Sequence, residues 1–390
     1  MKQQNGNRSR GLTVAGIIML GLVSCSHLKL DQPIKSEKAP WPTDGRNPER
    51  TNASPEIVVP PLHLAWTNDV TGGIGSGSPL VVDGLLIVGT LRGELHVIDA
   101  STGKRRGWID LFDAIHGSPA IEGNIVFVAG SNSSESLIAF DMLEGKPRWK
   151  RSYGHIEVSP MLADGDLYFG NTKGEFYAVS AASGDKLWKF QLPENTRLKG
   201  IRSSAALAES TVVFGADDGS VYALHRTNGR MVWKYSTGHP VVAGPTIADG
   251  SVLASNLGGL FCSINARTGR LNWSRTLGKS IHGGAAIADG TAIIGTTDGY
   301  LFSIGLKDGK VIWSVDLGSV VNSSAVISGD YAYVGTLSKI LYGIKRSNGE
   351  VVFKTIVPGR IKSAPAIAYG NLYVASDERM ILAFAQGAGE

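Results

Sequence analysis

Few residues of this chain could carry chemistry, and their spacing sorts them into three sets. The first is a single thiol. Cys25 follows Leu22-Val23-Ser24 at the end of an uncharged, mostly apolar stretch from Gly11 to Val23, itself preceded by Lys2, Arg8 and Arg10. A basic start, a short apolar core and small residues before a cysteine form a lipobox, so the Cys25 sulfur is expected to take a lipid and residues 1–24 to be removed as a signal peptide. Ser26 rather than an aspartate comes next, which predicts passage onward to the outer membrane. The second set is His116, Glu157, Arg202, His282, Asn322 and Lys362, polar side chains of both charge signs at one position of a long repeat, where Ser76 and Val242 complete the series. The third is Thr196-Arg197-Leu198-Lys199-Gly200, a leucine between two cations.

The first set supports anchoring, the second a site on an axis, the third docking. Equivalent positions of a closed repeat lie at equivalent radius, so the second set should converge at one end of a central channel. It reads first as a hydrated polar wall and alternatively as a funnel for a small ligand. His116 and His282 fall four repeats apart, on opposite sides, so a zinc ion shared between them is not expected. Cys262 lies in an apolar run, Leu260-Phe261-Cys262-Ser263-Ile264, and is expected to be a buried, inert thiol. With Cys25 taken by lipid, no disulfide framework is available. The sequence contains no Cys-x-x-Cys-His, His-Glu-x-x-His or Gly-x-Ser-x-Gly, so haem attachment, zinc proteolysis and a serine nucleophile elbow find no support. Without the leader the 38 Lys and Arg fall to 35 against 34 Asp and Glu, and no basic block offers itself to nucleic acid.

The elements that position these residues follow from periodicity. Residues 25–61 hold seven of the 16 prolines and no apolar period, and are expected to form an extended tether. From residue 62 an aromatic recurs at Trp66, Trp108, Trp149, Trp188, Trp233, Trp273, Trp313 and Phe353, at steps of 42, 41, 39, 45, 40, 40 and 40. A glycine stands four residues before most of them, at Gly145, Gly184, Gly229, Gly269, Gly309 and Gly349, whereas Gly103 stands five before Trp108. Between aromatics, short apolar runs alternate with turns such as Asp289-Gly290 and Asp308-Gly309, which suit two-residue hairpins. No 3.6-residue period survives past two turns. Four antiparallel strands per unit of about 40 residues make a propeller blade. The repeats predict an all-β, eight-bladed β-propeller over 62–385, with a short tail over 386–390. The eighth blade runs out after its third strand, and Leu62 to Trp66 is expected to supply the fourth and close the ring.

The aromatic, glycine and turn pattern resembles the quinoprotein, or pyrroloquinoline-quinone-type, repeat family. Asp99, Thr102 and Gly103 match its Asp-x-x-Thr-Gly signature with the one-residue shift, Thr268-Gly269 matches without it, and Asp141 keeps the aspartate. The family's dehydrogenases imply a vicinal disulfide over the cofactor, calcium-binding carboxylates and long insertions. This chain has neither adjacent cysteines nor insertions, so neither a metal nor a cofactor is expected. The leader, the proline-rich segment and the eight-blade closure are similar to the BamB-like lipoproteins, which imply a non-enzymatic, protein-binding role in assembling outer-membrane β-barrels. In that family a Leu-x-Leu-basic-Gly loop contacts the barrel subunit. Leu198, Lys199 and Gly200 match it and Thr196 replaces a leucine, so Arg197, Leu198, Lys199 and Gly200 are the expected partner contacts. The family's second contact, an acidic pair, is replaced by Pro240 and Val242. The expected place is the periplasmic face of the outer membrane, the expected partner a BamA-like subunit. A quinoprotein dehydrogenase, a small-ligand sensor on the axis, or a scaffold of another envelope complex stay open.

Overall fold

The computed structural model describes residues 28–35, 40–131, 134–193 and 198–387. The leader over 1–24, Cys25, Arg197 and residues 388–390 of the tail lie outside them. Eight sheets stand around one axis, each a meander of four antiparallel strands running outward from the centre. The sixth blade shows how the sequence builds one: Ala286–Ala288 on the inside, then Thr291–Gly295, Tyr300–Gly305 and Val311–Asp316 on the outside. Its second strand is almost continuously buried because neighbouring blades cover both faces. The outer strand turns Trp313 inward and leaves Val311 and Ile312 exposed. Asp289 and Gly290 close the first hairpin at φ of 50° and 70°, the left-handed pair such a tight turn requires. The ring closes as the repeat predicts. Leu62–Asp69 lies antiparallel to Met380–Gln386, with Trp66 opposite Ala383, as the fourth strand of the eighth blade.

Each regular interface between blades is built in the same way. The indole of one outer strand lies on the turn glycine of the next blade, where an added Cβ would come within 2.6 Å of Trp273 at Gly309 and 2.8 Å of Trp313 at Gly349. The indole N–H donates to a carbonyl of that turn: Trp149 to Ala181 at 2.9 Å, Trp233 to Ala266 at 2.8 Å and Trp273 to Leu306 at 2.7 Å. Two interfaces depart from this. In the first blade, Gly107 and not Trp108 pairs with Val97 in the register that elsewhere holds the tryptophan. Trp108 instead stacks on His96. The third turn has no extra residue, since Ile98 pairs with Arg105 as Val179 pairs with Lys186. The tryptophan's own position, four after Gly103, holds Gly107, and Trp108, one residue on, points to the other face. At the seventh interface Phe353 stands in the series because the eighth blade has no turn between its last two strands.

The segment over 25–61 is not an extended tether where it is described. From Leu28 onward it is a strap built into the domain. Leu28, Leu30 and Ile34 are buried between the first and second blades, in the space left by Gly107. Leu30 N–H donates to Met142 O at 2.7 Å, the carbonyl that would otherwise receive the missing indole. Trp41 is fully buried and exchanges two backbone hydrogen bonds with Val81 of the first inner strand. The chain then crosses the axis. The inner strands donate to it in turn, Leu207 to Pro48, Ile247 to Glu49, Ile287 to Thr51 and Ile327 to Asn52, at 2.8–2.9 Å. Ala53–Ser54 adds a parallel pairing to the seventh blade. Val58 is buried, and its carbonyl accepts from Tyr333 Oη at 2.7 Å. Both irregular interfaces are thus filled by the strap, and the boundary expected at residue 62 falls inside the folded unit.

Candidate functional site

Turns alternate between the two ends of a meander, so each blade sends its first and third turns to one face and its second turn and outgoing connection to the other. The strap crosses the first face. The two candidate sites lie on the second.

The axial site is formed by the connections entering the inner strands. Small residues crowd the ring, as the repeat predicts: a Cβ on Gly77 would come within 2.3 Å of Ser118 N, and one on Gly117 within 2.5 Å of Ser159 N. Below the mouth, Asp44 and Arg50 of the strap enter the axis. Asp44 accepts from Ser78 Oγ at 3.1 Å and Ser159 Oγ at 2.9 Å, and pairs with Arg50 Nη1 at 3.0 Å. Gly244 leaves room for the guanidinium, since a Cβ there would lie 2.5 Å from Arg50 Nε. The cavity that remains measures about 80 Å³ and is lined by Glu157, Arg202, His282, Asn322 and Lys362 together with Ser76 and Val242. His116 has the same place in the repeat but does not line it. The cations at the mouth are already paired: Arg202 with Glu157 at 3.5 Å and Asp217 at 3.2 Å, Lys362 with Asp377 at 3.1 Å. Burial pushes His282 down, which keeps its imidazole neutral. Burial also pushes the Asp217 carboxyl up, against the pull of Arg202.

Pyrroloquinoline quinone does not fit this site. A cofactor of that size needs a few hundred Å³, and the strap's Asp44 and Arg50 take that space on the axis. Among the described residues no three His, Cys, Asp or Glu side chains are grouped so as to hold a metal ion. What the axis can do is hold a handful of waters and its own chain. Cys262 is buried, and burial pushes its thiol up to about 12.

The second site lies beside the longest connection of the repeat. Leu198 is 51% exposed. It borders a cleft of about 330 Å³ whose other walls are Asp217, Asp218, Lys234, His239 and Pro240. The two connections that the sequence treats separately, around Leu198 and around Pro240, therefore meet at one cleft. The signal for this was their place at the same step of consecutive repeats. Lys199 is exposed just outside the cleft. Gly200 is buried, so it serves the turn and not a partner: a Cβ there would lie 2.3 Å from Asp217 Oδ2. The charged wall is rigid. Tyr222 Oη donates to Asp218 at 2.6 Å, Lys234 Nζ reaches the same carboxylate at 3.2 Å, and the ammonium lies 5.0 Å over the Tyr222 ring. Burial and Asp218 push the Tyr222 hydroxyl up to about 12, which keeps it a donor.

A family model described as outer membrane protein assembly factor BamB matches residues 63–201, 172–320 and 307–390. A BamB of Burkholderia pseudomallei is 25% identical over 142 residues, 35% of this chain and 36% of that protein. A 1-butanol dehydrogenase (cytochrome c) of Thauera butanivorans is 27% identical over 183 residues, 41% of this chain and 26% of that enzyme. These matches span 36% and 26% of the relatives' own length. Among solved structures, BamB from Moraxella catarrhalis superposes with a TM-score of 0.71 at 19% identity, covering 83% of this chain and 99% of that one. A quinohemoprotein alcohol dehydrogenase from Pseudomonas putida HK5 superposes at 0.75 and 16% identity, covering 90% and 80%. At such identities the superpositions show the propeller alone.

Proposed function

The chain belongs to the family of outer membrane protein assembly factor BamB, and from that premise we propose that it is a protein-binding scaffold of outer-membrane β-barrel assembly, lipid-anchored through Cys25 on the periplasmic side. The observation that carries the reading is the cleft at Leu198. An exposed leucine beside a proline, with Asp217, Asp218 and Lys234 held by fixed partners, offers apolar burial for affinity and charge for orientation. The partner is a domain of the barrel-inserting subunit. The axis supports the same reading from the other side, since Asp44 and Arg50 stand where dehydrogenases of this fold would need room for a quinone.

The test is co-purification from envelopes with the barrel-inserting subunit. The triple change Arg197→Glu, Leu198→Ala, Lys199→Glu is expected to lower recovery of that subunit at least tenfold. The melting temperature should move by only a few degrees, since surface substitutions cost about 0.5 kcal/mol or less each. Undiminished recovery with the folded variant would remove the cleft as the docking site. A wild-type chain that never recovers the subunit would remove the assembly role. Labelling with a fatty-acid analogue should mark the chain and fail with Cys25→Ala.

A further inference from the structure

The strap fixes where an anchor at Cys25 can be. Leu28 is buried against the turn between the third and fourth strands of the second blade, its carbonyl 3.3 Å from the Cβ position of Gly145. Leu30 is bonded to Met142 in the same turn, Ile34 N–H to Asn124 Oδ1 at 2.7 Å and Lys35 N–H to Asp83 Oδ2 at 2.9 Å. The chain is therefore held from its first described residue. Three peptide units separate Cys25 from Leu28, and at full extension they reach about 10 Å. A lipid on Cys25 leaves no slack for the domain to tumble.

A second observation falls at the same corner. The outer strands Arg105–Asp110 and Lys146–Arg151 of the first two blades carry six Lys or Arg, and the other six outer strands carry five between them. Lys146, Lys150 and Arg151 pair with the exposed Glu144, Glu135 and Asp185, but the acidic partners of Arg106 and Arg148 lie beneath them. The Arg106 and Arg148 side chains are each 56% exposed, whereas those of Asp99 and Asp141, to which they bond at 2.6 Å, are 14% and 3% exposed. At Arg106 and Arg148 the outermost charge is positive.

We propose that this corner, the third turns and outer strands of the first two blades, lies directly against a bilayer surface bearing anionic headgroups. Basic residues close to such a surface are attracted within a Debye length of it. The strap face then turns toward the membrane, and the cleft at Leu198, on the opposite face, turns away from it into the aqueous compartment. The partner is thereby held at about the thickness of the propeller from the bilayer. This inference rests on the lipid-anchored reading of Cys25.

The experiment attaches the anchor chemically, so that it does not depend on lipidation in the cell. A chain beginning at Cys25 is coupled to a maleimide phospholipid, which the buried Cys262 thiol does not compete for, and is bound to phosphatidylethanolamine–phosphatidylglycerol vesicles. Lysine acetylation is then followed by mass spectrometry against the same protein in detergent. Lys104, in the third turn of the first blade, and Lys146, at the start of the second blade's outer strand, should react at least threefold more slowly on vesicles. Lys279 and Lys339, exposed on the opposite face, should be unchanged. Inserting twenty Gly and Ser residues between His27 and Leu28 should level the two pairs. Equal slowing of both faces, or slowing of Lys279 and Lys339 alone, would overturn the proposed orientation. Protection that survives the insertion would overturn the short tether as its cause. Absence of fatty-acid labelling in cells would instead overturn the lipoprotein reading and leave the footprint interpretable.

Discussion

The interface between the fifth and sixth blades and that between the first and second solve one problem with different materials. In the former, Trp273 covers Gly309 and donates to Leu306 O at 2.7 Å. In the latter, Gly107 leaves the space open and the strap fills it, with Leu30 N–H on Met142 O at the same 2.7 Å. A side chain satisfies a turn carbonyl in one case, and a distant piece of backbone does so in the other. The indole is covalently part of the blade it seals. The strap must be brought back across some eighty residues of sequence, which couples the interface to everything else the strap touches. The regular interfaces are local; the first depends on the whole N-terminal segment.

The largest effect should therefore come from the strap's own anchor. Trp41→Ala removes a fully buried indole from the cluster shared by the first and eighth blades, and a loss of about 3–5 kcal/mol is expected. Chemical denaturation of the soluble domain measures it. If the segment were a tether, the loss would be close to zero, and deletion of residues 26–58 would leave the melting temperature unchanged.

Asp44→Ala should be nearly as costly. The substitution leaves Arg50 buried on the axis without its carboxylate, and an uncompensated buried charge costs about 3–5 kcal/mol. Replacing both residues at once, Asp44→Ala with Arg50→Met, should recover a large part of the loss, because the remaining group no longer has to be desolvated. A double variant as unstable as Asp44→Ala alone would show that the hydrogen bonds from Ser78 and Ser159, and not the ion pair, hold the strap on the axis.

A third comparison uses acid. Burial pushes the Asp141 carboxyl up, but N–H groups of Glu144 and Leu143 and the Arg148 guanidinium outweigh it and hold the group below its usual range. A carboxyl with a depressed folded-state pKa contributes stability above its unfolded value near 4 and loses it as pH falls further. Unfolding of the wild type should become easier below about pH 4, and Asp141→Asn should flatten that part of the profile while lowering stability at pH 7. The turn concerned is the one the strap rests on, so the strap-filled interface should open first in acid. Amide exchange at Leu30 against Leu277 would show the order.

The blades were legible in the sequence because their packing is periodic. An indole every forty residues and a glycine before it are the two halves of each interface, and both are side-chain choices. The closure was legible for the same reason, since Leu62 to Trp66 ends in the same aromatic. Trp108 misleads because it stands one residue past the inward position of its strand, which in the first blade is a glycine, and only the pairing of Gly107 with Val97 reveals which residue faces inward. The strap was illegible because it has no period of its own. Leu28, Leu30, Ile34, Trp41 and Val58 are isolated apolar residues among prolines, and their partners are blades far away in sequence. The ring at the mouth could be placed by counting, but the occupation of the axis by Asp44 and Arg50 could not. The meeting of Leu198 and Pro240 follows from equivalent steps of adjacent repeats, a relation the count contains and that only the geometry makes evident.

The smallest effect separates the two kinds of interface most cleanly. Trp273→Phe keeps most of the apolar ring over Gly309 and removes the N–H that Leu306 O receives. A carbonyl left without its donor in a buried turn costs about 1–2 kcal/mol. The reciprocal change, Phe353→Trp, offers an indole to a blade that has no third turn, since its fourth strand arrives from Leu62–Asp69. It should bring no stabilisation, and crowding at this filled position should make it mildly destabilising. The pair therefore asks whether the tryptophans matter as bulk or as donors to a turn. If Trp273→Phe were neutral and Phe353→Trp stabilising, size alone would explain the series. The bond from Leu30 to Met142 would then be incidental to how the strap replaces an indole. Denaturant midpoints at unchanged slope, measured for both variants against wild type, decide between the two.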